Sequence, residues 1–148
     1  MENCWYYKGQ CIQELPEGAF GFLYKIITYN EIGLPKYYFG KKQLHFKKKV
    51  KLPRKARLNS ENKRKRIDYK VSESDWRDYY GSSKELLKWI EENGTQDVYR
   101  EILSFHNTKI DLTYREMELL VKENVLFRED CYNSNILSKF FRGKITPI

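Results

Sequence analysis

The sequence predicts an α+β fold: a short, mostly antiparallel sheet flanked by helices, with a basic insert. Three observations lead there. Two strand-like runs meet at a turn within residues 20–40. Two later stretches carry helix start signals followed by apolar stripes. Between them, residues 41–70 hold 14 of the 28 lysines and arginines. A chain of 148 residues is one domain of common size, long enough to bury one core.

The first strand is read from Phe20, Phe22, Leu23, Ile26 and Ile27, a run rich in aromatic and β-branched residues. Asn30 and Gly33 supply turn chemistry, and Lys36 to Phe39 read as the returning strand, closed by Gly40. Ahead of them, residues 1–18 form a polar and aromatic arm. Its Trp5, Tyr6, Tyr7, Ile12 and Leu15 are suited to covering an open sheet edge, and Pro16 and Gly18 end it.

After the insert, Ser82 followed by Glu85 reads as a capping box for a helix from Ser83 to about Asn93. Leu86, Leu87 and Ile90 make its stripe, and Gly94 ends it. Val98, Ile102 and Leu103 read as a third strand. A second capping box at Thr113 and Glu116, with Leu112 and Met117 as a hydrophobic staple, starts a helix that buries Met117, Leu120, Val121 and Val125. Residues 134–148 form a basic aromatic tail that includes Lys139, Phe140, Phe141 and Arg142.

The charge is segregated. The chain carries a net +8, but residues 41–70 have only two acids and a net +12, leaving a net −4 on the other 118 residues. The clusters Lys47–Lys51, Arg54–Arg57 and Lys63–Arg66 are separated by Pro53 and by Asn59-Ser60, which reads as a long loop or extended ribbon. Such a block suits a polyanion, nucleic acid above all, because neutralised phosphates release counter-ions. Mean hydropathy is −0.77, and no apolar run approaches the ~20 residues of a membrane span. No basic start leads into an apolar stretch, so no secretion signal is expected. Cys4, Cys11 and Cys131 are odd in number and lack metal spacing, and His45 and His106 lie in unrelated contexts. Free thiols in a reducing, intracellular setting are expected.

Tyr24 closes Phe22-Leu23-Tyr24, and Tyr38 opens Tyr38-Phe39-Gly40. This pairing resembles the signature of the GIY-YIG nuclease family. Both tyrosines and the second glycine are kept, with Phe22, Leu23 and Phe39 at the departing positions. The order of elements agrees with that fold. Tyr80-Gly81-Ser82-Ser83-Lys84, Asn93-Gly94 and Tyr99 to Leu103 resemble a variant in which an insert separates the signature from the first helix. Arg115 to Val121 is similar to the helix bearing the family's metal-binding glutamate, and Tyr132-Asn133 to its closing pair.

The resemblance implies a metal-dependent endonuclease that hydrolyses DNA phosphodiester bonds. It would be a free-standing phage or homing-type enzyme, cytoplasmic in a bacterial or phage-infected cell. The alternative is a catalytically inactive nucleic-acid-binding protein, for DNA or RNA, on the same fold. Hydrolysis needs an activated water and a cation at the attacked phosphate. One carboxylate with phosphate oxygens and waters can hold Mg²⁺ or Mn²⁺. By resemblance Glu116 is that ligand, although a capping box would equally explain it, and Glu118 is the fallback. Tyr24 would activate water beside Tyr38, with sheet packing as the other reading of both. His45 and Lys84 would stand near the phosphate. The family's helix arginine is missing: the helix offers Lys84 and Lys88, while Arg77, Arg54 and Arg57 lie outside it. Lys41, Lys42, Lys47, Lys48, Lys49, Arg54, Arg57, Lys63, Arg64, Lys65 and Arg66 are expected to grip double-stranded DNA.

Overall fold

The computed structural model describes residues 3–58 and 67–148, with the backbone alone for Ala56 and Arg57. Lys63, Arg64, Lys65 and Arg66 thus lie outside the described residues. The main sheet has five strands, β1 (Trp5–Tyr7), β2 (Gln10–Ile12), β3 (Gly21–Tyr29), β4 (Pro35–Gln43) and, later in the chain, β7 (Val98–His106), in the order β2-β1-β7-β3-β4. Between β4 and β7 come β5 (His45–Lys51), α1 (Arg54–Leu58), β6 (Ile67–Glu73), a 3₁₀ turn (Trp76–Asp78) and α2 (Lys84–Asn93). The chain then continues through α3 (Lys109–Lys122) to a short hairpin, β8 (Asn135–Ile136) and β9 (Phe140–Phe141).

The β3–β4 hairpin forms as expected. Asn30 Oδ1 accepts from the amides of Ile32 and Leu34, and Gly33 takes φ 81°, so the turn is fixed by side-chain bonding and by a residue free to adopt it. β3 lies between β4 and β7 and is buried along nearly its whole length, which explains its continuous apolar run. Neighbouring residues on a strand face opposite sides. Phe22, Tyr24, Ile26 and Tyr38 join Leu86 of α2 in one core, while Phe39 joins Leu120 of α3 in the other. The two helices therefore clothe opposite faces.

Several expectations are corrected. The N-terminal arm is a hairpin that enters the sheet, with β1 parallel to β7 and Trp5 fully buried. Its Lys8-Gly9 turn has φ of 49° and 80°, the primed geometry that brings two strands back together. That hairpin places Cys4 and Cys11 with Cα atoms 5.9 Å apart and disulfide-bonded, which leaves Cys131 as the free thiol. The cap of α2 is Ser83, whose hydroxyl accepts from Leu86 N, while Glu85 pairs with Lys36 instead of closing a box. α3 starts a turn earlier than read, capped by Thr108, and Thr113 lies inside it bonded back to Lys109 O. The second capping box and its staple do not form. Leu87 and Val121, read as buried, are 44% and 60% exposed. β4 runs through Lys41 and Lys42, so the ribbon begins at His45. In the tail, Arg142 donates to the carbonyls of Arg128, Cys131 and Asn133 and so ties the end of the chain to the body.

Candidate active site

The site is built on the outer edge of β4. Tyr37 N donates to Asp130 O at 2.8 Å, and Tyr132 N donates to Tyr37 O at 2.7 Å. Two residues on, Phe39 N donates to Asn133 Oδ1 at 3.0 Å, and Asn133 Nδ2 donates back to Phe39 O at 2.8 Å. Two residues further, the Lys41 backbone hydrogen-bonds the Glu116 carboxylate. The edge is thus covered in steps by main chain, by an amide and by a carboxylate. A cleft of about 320 Å³ opens there, lined by Tyr38, Ser82, Ser83, Glu116, Asn133 and Ser134 among others.

Glu116 is half-buried in mid-helix, so it has no capping duty. Burial, the largest influence, raises its carboxyl above the usual range, while the Lys41 ammonium and backbone pull it back. Glu118 is exposed and paired with Arg115 at 3.2 Å, on the outer side of α3. The helix turn therefore separates the two candidates: Glu116 lines the cleft and Glu118 does not.

Tyr38 Oη lies 2.9 Å from Ser82 Oγ, on the cleft wall. Burial raises its phenol and the Ser82 hydrogen bond opposes the rise. Tyr24 sits behind it, ring centroids 6.1 Å apart, 1% exposed and outside the lining of the cleft. Burial drives its phenol well above the ordinary value, with Tyr38 and Tyr79 adding to the effect. The β3–β7 register shifts between Leu23 and Tyr24, a bulge at the first signature tyrosine.

Two lysines expected on the basic insert pack against the domain instead. Lys41 Nζ donates to Thr113 Oγ1 at 2.9 Å. Lys42 is 8% exposed, 2.6 Å from Asp75 Oδ1 and 4.0 Å from the centre of the Tyr79 ring. With Lys109 and Tyr79 they line a second hollow of about 230 Å³. Tyr79 and Ser82 escaped sequence reasoning as site residues, since nothing local marks Tyr79 and the spacing of Ser82 to Glu85 reads as a helix cap. Arg100 explains their placement. It is buried on β7 and donates to Arg77 O and Tyr79 O at 3.0 and 2.9 Å, pinning the segment that leads into α2.

The other expected residues lie elsewhere. His45 is exposed at the root of β5, and Lys84 is exposed on the first turn of α2; neither lines the two hollows. Arg54 is exposed on α1. Arg77 is held by Glu73 and by Gln13 O, stacked on Trp76. Among the described residues no arginine lines the cleft.

A family model described as "Putative endonuclease segE, GIY-YIG domain" matches residues 5–136. The chain belongs to the GIY-YIG endonuclease family. The match runs from β1 into β8, so the N-terminal hairpin and the basic ribbon of this GIY-YIG domain lie inside it. No curated protein and no solved structure matches the chain. Tyr24, Tyr38 and Gly40, the residues that resemble the family signature, lie on the paired strands β3 and β4, with Tyr24 opposite Gly40.

Proposed function

We propose that this GIY-YIG chain is a metal-dependent endonuclease that hydrolyses phosphodiester bonds of double-stranded DNA, with its chemistry in the Tyr38–Glu116 cleft. The carrying observation is a half-buried carboxylate, hydrogen-bonded to the outer edge of β4, on the wall of a polar cleft that also holds a tyrosine hydroxyl. The donor set fits a hard divalent ion. Among the described residues no group of three or more His, Cys, Asp or Glu forms a cage, and one carboxylate with phosphate oxygens and waters is how Mg²⁺ or Mn²⁺ is commonly held at a phosphate. When bound, the ion stabilises charge on the attacked phosphate and its leaving oxygen.

The chain's own groups do the rest. Glu116 supplies the ligand oxygen. The Lys41 ammonium, beside Glu116 and Thr113, offers positive charge to the phosphate where the family arginine is absent. Tyr38, with Ser82 as its hydrogen-bond partner, orients water and exchanges its proton at Oη; Tyr24 backs it and holds its ring in place. His45 and Lys84 serve, at most, in contacts to more distant phosphates. Lys47, Lys48, Lys49, Arg54 and Arg57 supply backbone grip, and the concentration of charge in the sequence extends this role to Lys63, Arg64, Lys65 and Arg66. A phage or homing-type enzyme working in the cytoplasm remains the setting we assign to it.

That no arginine among the described residues lines the cleft favours one competitor, a nucleic-acid-binding protein without catalysis. Incubating supercoiled plasmid with the protein, with and without Mg²⁺ and with EDTA, separates them. Metal-dependent nicking supports the nuclease. Plasmid binding without nicking in any metal supports the inert binder.

A further inference from the structure

The β5–β6 ribbon stands clear of the domain, with every residue of both strands exposed. It is nevertheless firmly rooted. Leu44, fully buried, accepts from Ser74 N, Ser74 Oγ donates to Gln43 O, and Glu73 accepts from Trp76 Nε1 at 2.6 Å. A lone two-stranded hairpin is marginal in water, so a ribbon of this length gains from a surface to lie against.

Its two faces differ. Residues directly opposite across the strands share a face, and the register pairs Lys47 with Val71, Lys49 with Tyr69 and Lys51 with Ile67. One face therefore carries a column of three lysines, roughly 7 Å apart, beside a column of exposed apolar and aromatic side chains. The other face pairs Lys48 with Lys70 and Val50 with Asp68, and at its base Phe46 lies 5.3 Å below the Lys42 ammonium.

We propose that the first face lies in the major groove of double-stranded DNA, the lysine column along one phosphate backbone and Tyr69 with its neighbours toward the base edges. The inference rests on the endonuclease reading and deepens it, by assigning the groove and the face. The dimensions agree: strands about 4.8 Å apart form a ribbon that a groove about 12 Å wide admits. The chemistry agrees too, since lysines neutralise phosphates while apolar side chains meet thymine methyl groups. An A-form RNA helix offers no such groove.

The test is duplex binding by the full chain carrying Glu116→Gln, so that the DNA is not cut, over a series of salt concentrations. Changing Lys47, Lys49 and Lys51 together to alanine is expected to reduce the slope of log affinity against log salt by about 2.7, at ~0.9 for each phosphate no longer neutralised. Lys70→Ala, on the opposite face, is expected to leave it unchanged. Arginines in place of the three lysines are expected to keep the slope. Equal effects per lysine on the two faces, no effect on either, or single strands bound as tightly as the duplex would overturn the proposal while leaving the nuclease reading intact. If the parent protein binds no duplex at all, both fall.

Discussion

Gly40 and Tyr24 face each other across the β3–β4 pair so closely that a Cβ on Gly40 would sit 2.6 Å from Tyr24 Oη and 2.8 Å from Cζ. Gly81 does the same for the second tyrosine, where a Cβ would meet Tyr38 Cε1 at 2.8 Å. Each signature tyrosine is therefore seated on a glycine. Gly40→Ala is expected to cost about 1–3 kcal/mol, the size of overpacking in a closed core. Gly81→Ala adds backbone strain, because its φ is 88°. Urea unfolding measures both. Wild-type stability in either variant would show that the tyrosine rings are free to move aside.

Glu116 links stability to function. A carboxyl whose native pKa is raised favours the fold while it is protonated, and that contribution is lost as pH rises through the native pKa. At neutral pH the ionised side chain is therefore a cost. Glu116→Gln keeps an oxygen for the Lys41 N–H and removes the charge. Its melting temperature is expected to exceed the wild type's by roughly a few degrees at neutral pH, with the gap closing at acid pH. A neutral or lower melting temperature at neutral pH would contradict the assignment of burial as the dominant influence.

Tyr38 is protonated at neutral pH, since burial raises its phenol. If it exchanges a proton during hydrolysis, the cleavage rate climbs on the alkaline side, and it falls on the acid side as Glu116 protonates. Tyr38→Phe is expected to lose roughly 100-fold in rate and to flatten the alkaline limb. Tyr24→Phe, outside the cleft lining, is expected to lose less. A pH–rate profile of the three proteins decides between the two tyrosines, and the reverse ranking would move the proton exchange to Tyr24.

Asn133 holds the edge of β4 with both ends of its amide. Asn133→Ala leaves the Phe39 N–H and C=O without those partners, at about 1–3 kcal/mol. Denaturant unfolding reads the loss directly.

The sequence carried the fold wherever pattern is local. The β3–β4 hairpin announced itself by its apolar run and by Asn30 and Gly33, and α2 by its stripe and by Gly94. It misled where one residue type serves two ends. Thr113 and Glu116 have capping-box spacing, yet Thr108 caps the helix, and only the resulting phase shows that Glu116 faces the cleft while Glu118 faces outward. Lys41 and Lys42 looked like the start of a basic insert because charge counts ignore strand register, yet both lie on β4 and pack against the domain, Lys41 on Thr113 and Lys42 on Asp75. Tyr79 and Ser82 meet their partners through packing of distant segments, which no local pattern records, while the Cys4–Cys11 pair follows from the short Lys8-Gly9 hairpin that the sequence reading missed.

The most direct measurement is single-turnover cleavage of duplex DNA in Mg²⁺ by the wild type, Glu116→Gln and Glu118→Gln, each shown to be folded and DNA-bound. Glu116→Gln is expected to lose roughly 100-fold or more while Glu118→Gln cuts like the wild type. Full activity in Glu116→Gln, or loss in Glu118→Gln alone, would contradict the placement of the metal and of the active site.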